Sequence, residues 1–296
     1  MTVRRGVTVF AVLVVLAAIG VFAIMFVNGI HGPMSPYCTV AATGSGAADS
    51  TGSSDSSGSD SSGSGDFSFS PEQASNAATV AAVGLKLGLP PHAVTVALAT
   101  AWQESKLINL TSGDRDSAGL FQQRPSEGWG TYAQVTDPVY ASTSFYQHLA
   151  AHTDWASMSV TDAAQAVQHS ATPDAYAQWE AEARAMASAL TGETTGALTC
   201  HDLSVAPAKV SLVTAATEQW GTSTISGAHD AMQGWAMGSW LVANATQFGI
   251  DSVTVANRTW TAASGAWSTP STGVSATATS ADGTVSLHQV QVAPTS

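Results

Sequence analysis

Residues 41–66 contain only Ala, Gly, Ser, Thr and Asp, and this tract limits where the chain can fold. A stretch of this composition has too little apolar surface to offset the entropy lost on ordering, so it predicts a flexible tether. With about 26 residues, its r.m.s. reach is roughly 30 Å, enough to act as a spacer. We therefore predict a membrane segment at 1–30, a linker at 31–69, a first domain at 70–200 and a second at 205–296.

The N-terminal region carries an uncharged run of 21 residues from Val7 to Val27, preceded by Arg4 and Arg5. Such a run is long enough for a helix that crosses about 30 Å of hydrocarbon. The two arginines favour an N-terminus in the cytoplasm and the bulk of the chain outside, facing the cell wall. A cleaved signal peptide is the alternative, but its apolar region is usually shorter. The sequence predicts a single-pass protein of the cell membrane.

The charge of the chain bears on its partners, and its two cysteines bear on a possible disulfide. The net charge is −12 with only nine Lys and Arg residues, and no basic cluster is present, so we expect no nucleic-acid partner. The two cysteines are Cys38 and Cys200. An oxidising exterior would allow a disulfide between them, and two unrelated thiols are the alternative.

Helix signals begin at Ser70, where serine, proline and Gln73 form a capping-box pattern for a helix that runs to Leu87. A second helix starts at Pro90-Pro91. Its apolar residues follow an i, i+3, i+4 pattern, which predicts one buried stripe. These residues are Val94, Ala97, Leu98, Ala101 and Trp102.

The rest of the first domain is also predicted to be helical, and the composition changes after residue 205. Further helices are expected at 139–151, 162–170 and 173–190. In the tail, a helix near 229–248 precedes expected strands at 252–256, 272–279 and 284–292. We therefore predict a mainly α first domain followed by a small α+β domain.

Glu104 lies at the margin of the predicted stripe, beside Ala97 and Ala101, whose small side chains leave a recess. Burial disfavours a charged carboxylate and raises its pKa, which suits a general acid. Cleavage of a glycosidic bond needs such an acid to protonate the leaving oxygen. The alternative is an ordinary surface glutamate.

Several residues close to Glu104 in sequence offer the contacts that a sugar needs. Gln122 and Gln123 can donate to and accept from hydroxyls, Ser105 can form a local hydrogen bond, and Trp129 presents an apolar face.

Two motifs carry a resemblance to a known family. Glu104-Ser105, followed by Gly119-Leu-Phe-Gln122 fifteen residues after the glutamate, resembles the E-S…G-L-M-Q signature of lytic transglycosylases with the lysozyme-like fold. The run 113–131 is similar to a membrane-anchored actinobacterial branch of that group. The match covers about 70–192. It implies a lysozyme-like fold, Glu104 as the catalytic acid and base, and Ser105 and Gln122 lining the cleft.

The family has a third motif, A-Y-N-A-G, on a later helix. This chain has Ala166-Val-Gln-His-Ser170 at the corresponding place, without the tyrosine or the asparagine. The resemblance then assigns the amide role to Gln168 and a ring from the next helix to Tyr176.

The resemblance also implies a mechanism and a substrate. Glu104 protonates the oxygen that links N-acetylmuramic acid to N-acetylglucosamine in peptidoglycan glycan strands, and then takes the proton of the muramoyl C6 hydroxyl as a 1,6-anhydro ring closes. Asp114 or Asp116 as a second carboxylate would instead make the enzyme hydrolytic. We expect no cofactor and no metal, since His148 and His152 have metal-binding spacing but no third ligand nearby.

Two non-enzymatic alternatives stay open. The altered third motif is compatible with a peptidoglycan-binding protein that has lost turnover. The tail at 205–296 is compatible with a subunit that docks on an envelope apparatus, although its protein partner is not indicated.

Overall fold

The computed structural model describes residues 35–42, 65–170, 172–269 and 282–291, and the described residues from Pro36 onwards form one compact unit. Its α-helices are, in chain order, α1 Pro71–Lys86, α2 Pro91–Ser105, α3 Tyr132–Val135, α4 Pro138–Ala151, α5 Val160–Gln168, α6 Glu180–Leu190, α7 Leu212–Trp220, α8 Ala231–Ala243 and α9 Ala245–Phe248.

Short 3-10 helices and two small antiparallel sheets complete the unit. The 3-10 helices are Pro125–Glu127, Trp155–Ser157 and Pro173–Trp179. The strands are β1 Tyr37–Val40, β2 Phe67–Phe69, β3 Leu198–His201, β4 Ile250–Val255, β5 Arg258–Thr261, β6 Trp267–Ser268 and β7 Val285–Gln289. The first sheet has the order β2-β1-β3 and the second the order β6-β5-β4-β7.

The predicted start of α1 is confirmed. The Ser70 hydroxyl accepts from the backbone N–H of Gln73, and the Gln73 side chain accepts from the backbone N–H of Ser70 at 2.7 Å. This reciprocal pair satisfies two of the backbone donors that a helix start leaves without partners.

Helix α2 is the central helix of the fold and carries Glu104 in its last turn. Every residue from Ala93 to Trp102 is buried, so the helix is buried all round rather than along the one predicted stripe. It packs against α1, α5, α6 and the 3-10 helix Pro173–Trp179. A helix that is surrounded by other elements holds its end residues in a fixed position.

Two predicted helices are each divided in the structure. The segment 173–190 begins as the 3-10 helix Pro173–Trp179 before α6, and the tail helix is interrupted at Asn244 between α8 and α9. The Asn244 side-chain amide donates to the carbonyl of Trp240 at 2.9 Å. This is the local side chain to backbone bond by which asparagine competes with helix continuation.

Strand β1 shows that the Ser/Gly/Asp-rich tract connects two paired strands. Val40 pairs with Phe67 and Cys38 with Phe69, so 41–66 leaves from one strand and returns to its neighbour. The tract therefore does not space the N-terminal segment from the folded unit, because β1 already belongs to that unit. Two strands thus lie inside the region predicted as linker.

The expected bridge between Cys38 and Cys200 is present. The two residues are directly paired between β1 and β3, and both are fully buried. The disulfide therefore links strands that are 162 residues apart in the chain.

The predicted fold class is wrong. Helices account for about 49% of the structure, together with two small antiparallel sheets. The tail is not a separate α+β domain, because α8 packs against α1, α6 and β3. The Ser75 hydroxyl of α1 also donates to the Asn244 side-chain oxygen at 2.7 Å across this contact.

The predicted fold class also included a single N-terminal transmembrane helix, and this element is likewise not supported. Within the part of the chain that the structure describes, no helix has both the length and the apolar character needed to cross a membrane. The run from Val7 to Val27 lies outside the described residues, as does the strand expected at 272–279.

Candidate active site

A cleft of about 820 Å³ opens beside the end of α2. Its walls come from the last turn of α2, the loop that follows, α4 and the end of α5. The residues that line it are Glu104, Asp114, Arg115, Ser117, Phe121, Gln122, Arg124, Glu127, Trp129, His148, Val167, Gln168, His169 and Ser170.

Glu104 is half-buried in this cleft. The hydroxyl of Tyr176, a buried residue of the 3-10 helix Pro173–Trp179, donates to Glu104 Oε1 at 2.9 Å. Burial raises the pKa of Glu104 above its ordinary value of 4.5, although the Tyr176 hydrogen bond and the charge of Lys106 oppose the rise. The carboxyl group is therefore disposed to hold its proton at a higher pH than a solvated glutamate.

Three polar side chains hold the Gly119–Gln123 turn against the helices. The Ser105 hydroxyl donates to the carbonyl of Leu120 at 2.7 Å, and Gln168 Nε2 donates to the carbonyl of Phe121 at 2.9 Å. Gln123 Nε2 donates to the carbonyl of Ala141 on α4 at 3.1 Å. This bonding fixes the turn that forms one wall beside Glu104.

The predicted binding residues thus divide into three groups. Gln122, Trp129 and Gln168 line the cleft with Glu104. Ser105 and Gln123 are buried and do not line it. Tyr176 lies behind Glu104 and contacts the carboxyl group.

Gln122 and Trp129 both make contacts within the cleft wall. Gln122 Oε1 accepts from the Ser117 hydroxyl at 2.9 Å, and its Nε2 donates to the Gly119 carbonyl at 3.1 Å. The Trp129 ring lies 4.0 Å from the His148 ring, centroid to centroid, so His148 covers part of the apolar surface expected of Trp129.

Gly119 is required at the turn for two reasons. Its φ of +82° lies in the left-handed region, and a Cβ atom there would lie 1.9 Å from the carbonyl oxygen of Val135. We expect Gly119→Ala to lower the free energy of unfolding by about 2–4 kcal/mol, measured by chemical denaturation.

Gly128 is the matched control, because its φ is +87° but nothing lies within 4 Å of a Cβ atom there. Gly128→Ala should cost only about 1 kcal/mol. Equal losses for the two variants would show that the contact with Val135 is unimportant.

The acidic residues weighed as a second carboxylate differ in their surroundings. Asp116 accepts from the backbone N–H of Ser126 at 2.7 Å and from Arg124 Nε at 3.1 Å. These bonds, the Ser126 backbone bond first, hold the pKa of Asp116 below its usual range, and Asp116 does not line the cleft. Asp114 does line it, but its side chain is almost fully exposed.

No sequence pattern indicated that Arg115, Arg124, Glu127 and His169 line the cleft, and His148 was named only for its metal-binding spacing with His152. Arg124 pairs with both Asp116 and Glu127, so two carboxylates share one cation beside the cleft. Arg115, His148 and His169 also reach the cleft from separate segments. No spacing rule relates these segments, so only the fold brings them together.

Comparisons with known proteins add no relative: no family model matches the chain, and no curated protein is similar to it.

Proposed function

We propose that this protein is a peptidoglycan lytic transglycosylase that cleaves the β-1,4 bond between N-acetylmuramic acid and N-acetylglucosamine. The observation that carries the proposal is the half-buried Glu104, whose raised pKa favours a protonated acid in a cleft of about 820 Å³. The Glu104-Ser105 and Gly119–Gln122 motifs support it through the family resemblance.

The proposed reaction needs one carboxyl group. Glu104 gives its proton to the bridging oxygen as the bond from the muramoyl C1 to that oxygen breaks. The C6 oxygen then attacks C1, and its proton passes to the Glu104 carboxylate, which restores the acid. The engagement of Asp116 with Ser126 and Arg124 supports a single-acid reaction over one with Asp116 as a second carboxylate.

The Cys38–Cys200 disulfide supports an oxidising compartment as the place of action. Peptidoglycan lies in such a compartment, outside the cytoplasm.

Product masses test the proposal. The full chain is incubated with insoluble peptidoglycan, and the soluble products are analysed by mass spectrometry. We expect 1,6-anhydro muramoyl ends, lighter by one water than hydrolysed ends. Reducing ends that carry oxygen from labelled water would instead indicate a lysozyme-type hydrolase.

A non-catalytic peptidoglycan-binding protein is the second candidate, favoured by the missing tyrosine and asparagine in 166–170. In that case the chain sediments with peptidoglycan and releases nothing soluble. A wild-type chain with this behaviour would reject the transglycosylase in favour of the binder.

The role of Tyr176 predicts a specific pH effect. Its hydrogen bond favours the Glu104 carboxylate, so Tyr176→Phe should raise the pKa of Glu104 further. Because the first step needs protonated Glu104, the alkaline limb of the kcat profile should move to higher pH. Poorer positioning of the carboxyl group should also lower the maximal kcat by roughly 10- to 100-fold.

Tyr146→Phe is the control for this measurement. Tyr146 is also buried, but its hydroxyl donates to the carbonyl of Val80 at 3.0 Å, within the packing of α1 against α4. This variant should lose stability and keep the pH profile. An unchanged alkaline limb in Tyr176→Phe would reject the role given to Tyr176.

A further inference from the structure

His148 is an exposed residue of α4 whose ring lines the cleft. It is held on two sides. Its ring lies 4.0 Å from the Trp129 ring at an interplanar angle of 30°, and its Nδ1 lies 2.8 Å from the carbonyl oxygen of Ser144, one helical turn earlier. Such support fixes the orientation of the imidazole relative to the cleft.

The Ser144 contact determines which ring nitrogen carries the hydrogen. A backbone carbonyl only accepts hydrogen bonds, so Nδ1 must be the donor in this contact. In the neutral imidazole the other nitrogen, Nε2, is then an acceptor with no hydrogen. Nothing in the described part of the chain hydrogen-bonds with Nε2.

The surroundings of His148 combine a hydrogen-bond acceptor with apolar surface, as a sugar-binding site requires. Trp129, which is partly exposed, supplies apolar surface to the same cleft, and the buried Phe121 and Val167 also line it. The C–H face of a sugar can pack on an aromatic side chain, and the polar groups of the sugar can bond to a fixed acceptor. Together these two contacts orient the sugar ring.

We infer that His148 is a substrate-binding residue, whose Nε2 accepts a hydrogen bond from a donor of the bound glycan, either a hydroxyl or an acetamido N–H. This inference rests on the proposed function, because it takes the cleft to be a glycan site. It assigns a role to a residue that neither motif includes.

Binding to an inactive protein tests the inference apart from catalysis. The full chain with Glu104→Gln is titrated with the β-1,4 tetramer of N-acetylglucosamine by calorimetry, and His148→Phe is then added. Phenylalanine keeps an aromatic ring beside Trp129 but removes the acceptor. We expect the dissociation constant to rise roughly 5- to 50-fold, because the sugar donor loses its partner in the complex.

His152→Phe is the matched control, since His152 follows α4 directly and does not line the cleft. It should leave the dissociation constant unchanged. Thermal unfolding of both variants checks that the exposed ring at 148 is dispensable for folding.

A tetramer of glucose identifies the donor. Weaker binding of both tetramers to His148→Phe assigns the bond to a hydroxyl, whereas an effect confined to the N-acetylated tetramer assigns it to the acetamido N–H. Equal affinity of the parent and His148→Phe for the N-acetylated tetramer would overturn the inference alone. A parent protein that binds no tetramer would overturn the glycan function as well.

Discussion

Glu104→Gln is expected to abolish the release of soluble products from peptidoglycan, with kcat lowered by roughly 10³- to 10⁴-fold. Glutamine keeps the shape of the side chain and can still accept from the Tyr176 hydroxyl, but it has no proton to give to the bridging oxygen. Because one carboxyl group serves both steps of the proposed reaction, no second acid replaces it. Sedimentation with peptidoglycan should be retained.

Glu182→Gln is the matched control for this prediction. Burial also raises the pKa of Glu182, which lies on α6 near Lys106, but Glu182 does not line the cleft. Its variant should cleave at the wild-type rate. Comparable loss of activity in both variants would mean that the effect arises from changed charge near Lys106 rather than from chemistry at Glu104.

Glu104→Gln should also increase the stability of the folded protein at neutral pH. Because the folded-state pKa of Glu104 lies above 4.5, the folded protein binds more protons than the unfolded chain between 4.5 and that pKa. Wild-type stability therefore falls as the pH rises through this window. Glu104→Gln avoids the buried charge, so its melting temperature should exceed that of the wild type above the window and approach it below pH 4.5.

The second large effect is expected on removal of the disulfide. Replacing Cys38 and Cys200 together by alanine should lower the free energy of unfolding by about 3–5 kcal/mol, since the bridge closes a very long loop in the unfolded chain. Strand β1 should be the first element to separate from the rest of the fold. Without the disulfide, the only covalent connection from β1 to the following elements is the segment 41–66. Closing a loop of that length to pair β1 with β2 costs about 3 kcal/mol of entropy.

Denaturant titration and amide hydrogen exchange measure this effect. We expect the β1 amides of Tyr37–Val40 to lose protection before those of α2. Reduction of the wild type should reproduce the double variant, and the reductant should leave that variant unchanged. A double variant as stable as the oxidised wild type would show that packing alone holds β1 in the sheet.

The helices near the site could be predicted because their signals are local. Ser70 and Gln73 lie three residues apart and form a capping box in any context that allows a helix. Glu104 and Gly119 were associated through a motif in which spacing and residue type agree, and in the structure Ser105 links the two segments through Leu120.

The sheets and the unity of the fold could not be predicted from local patterns. Strands β1 and β2 have four and three residues, and β1 pairs with a strand more than a hundred residues away. The tail appeared separate because its composition changes after residue 205. Yet α8 is buried along Gly234–Ala243, so it needs neighbours on all sides, and α1, α6 and β3 provide them. The predicted first domain, 70–200, would therefore lack a helix that packs against its own α1, α6 and β3.

The burial of Ser105 and Gln123 could not be predicted for a related reason. Gln123 was expected to contact sugar hydroxyls and Ser105 to line the cleft, whereas both side chains donate to backbone carbonyls in the interior. Buried polar side chains most often have such a role. Burial depends on the whole fold, and the motif alone does not reveal it.

The central claim is that Glu104 holds its proton above the pH at which a solvated glutamate loses it. The direct measurement is titration of the side-chain carboxyls, followed by ¹³C NMR in the full chain, with Glu104→Gln used to assign the signal. We expect the carboxyl signal that is absent from the variant to titrate above 4.5 in the wild type. A Glu104 signal that titrates at or below 4.5 would contradict it.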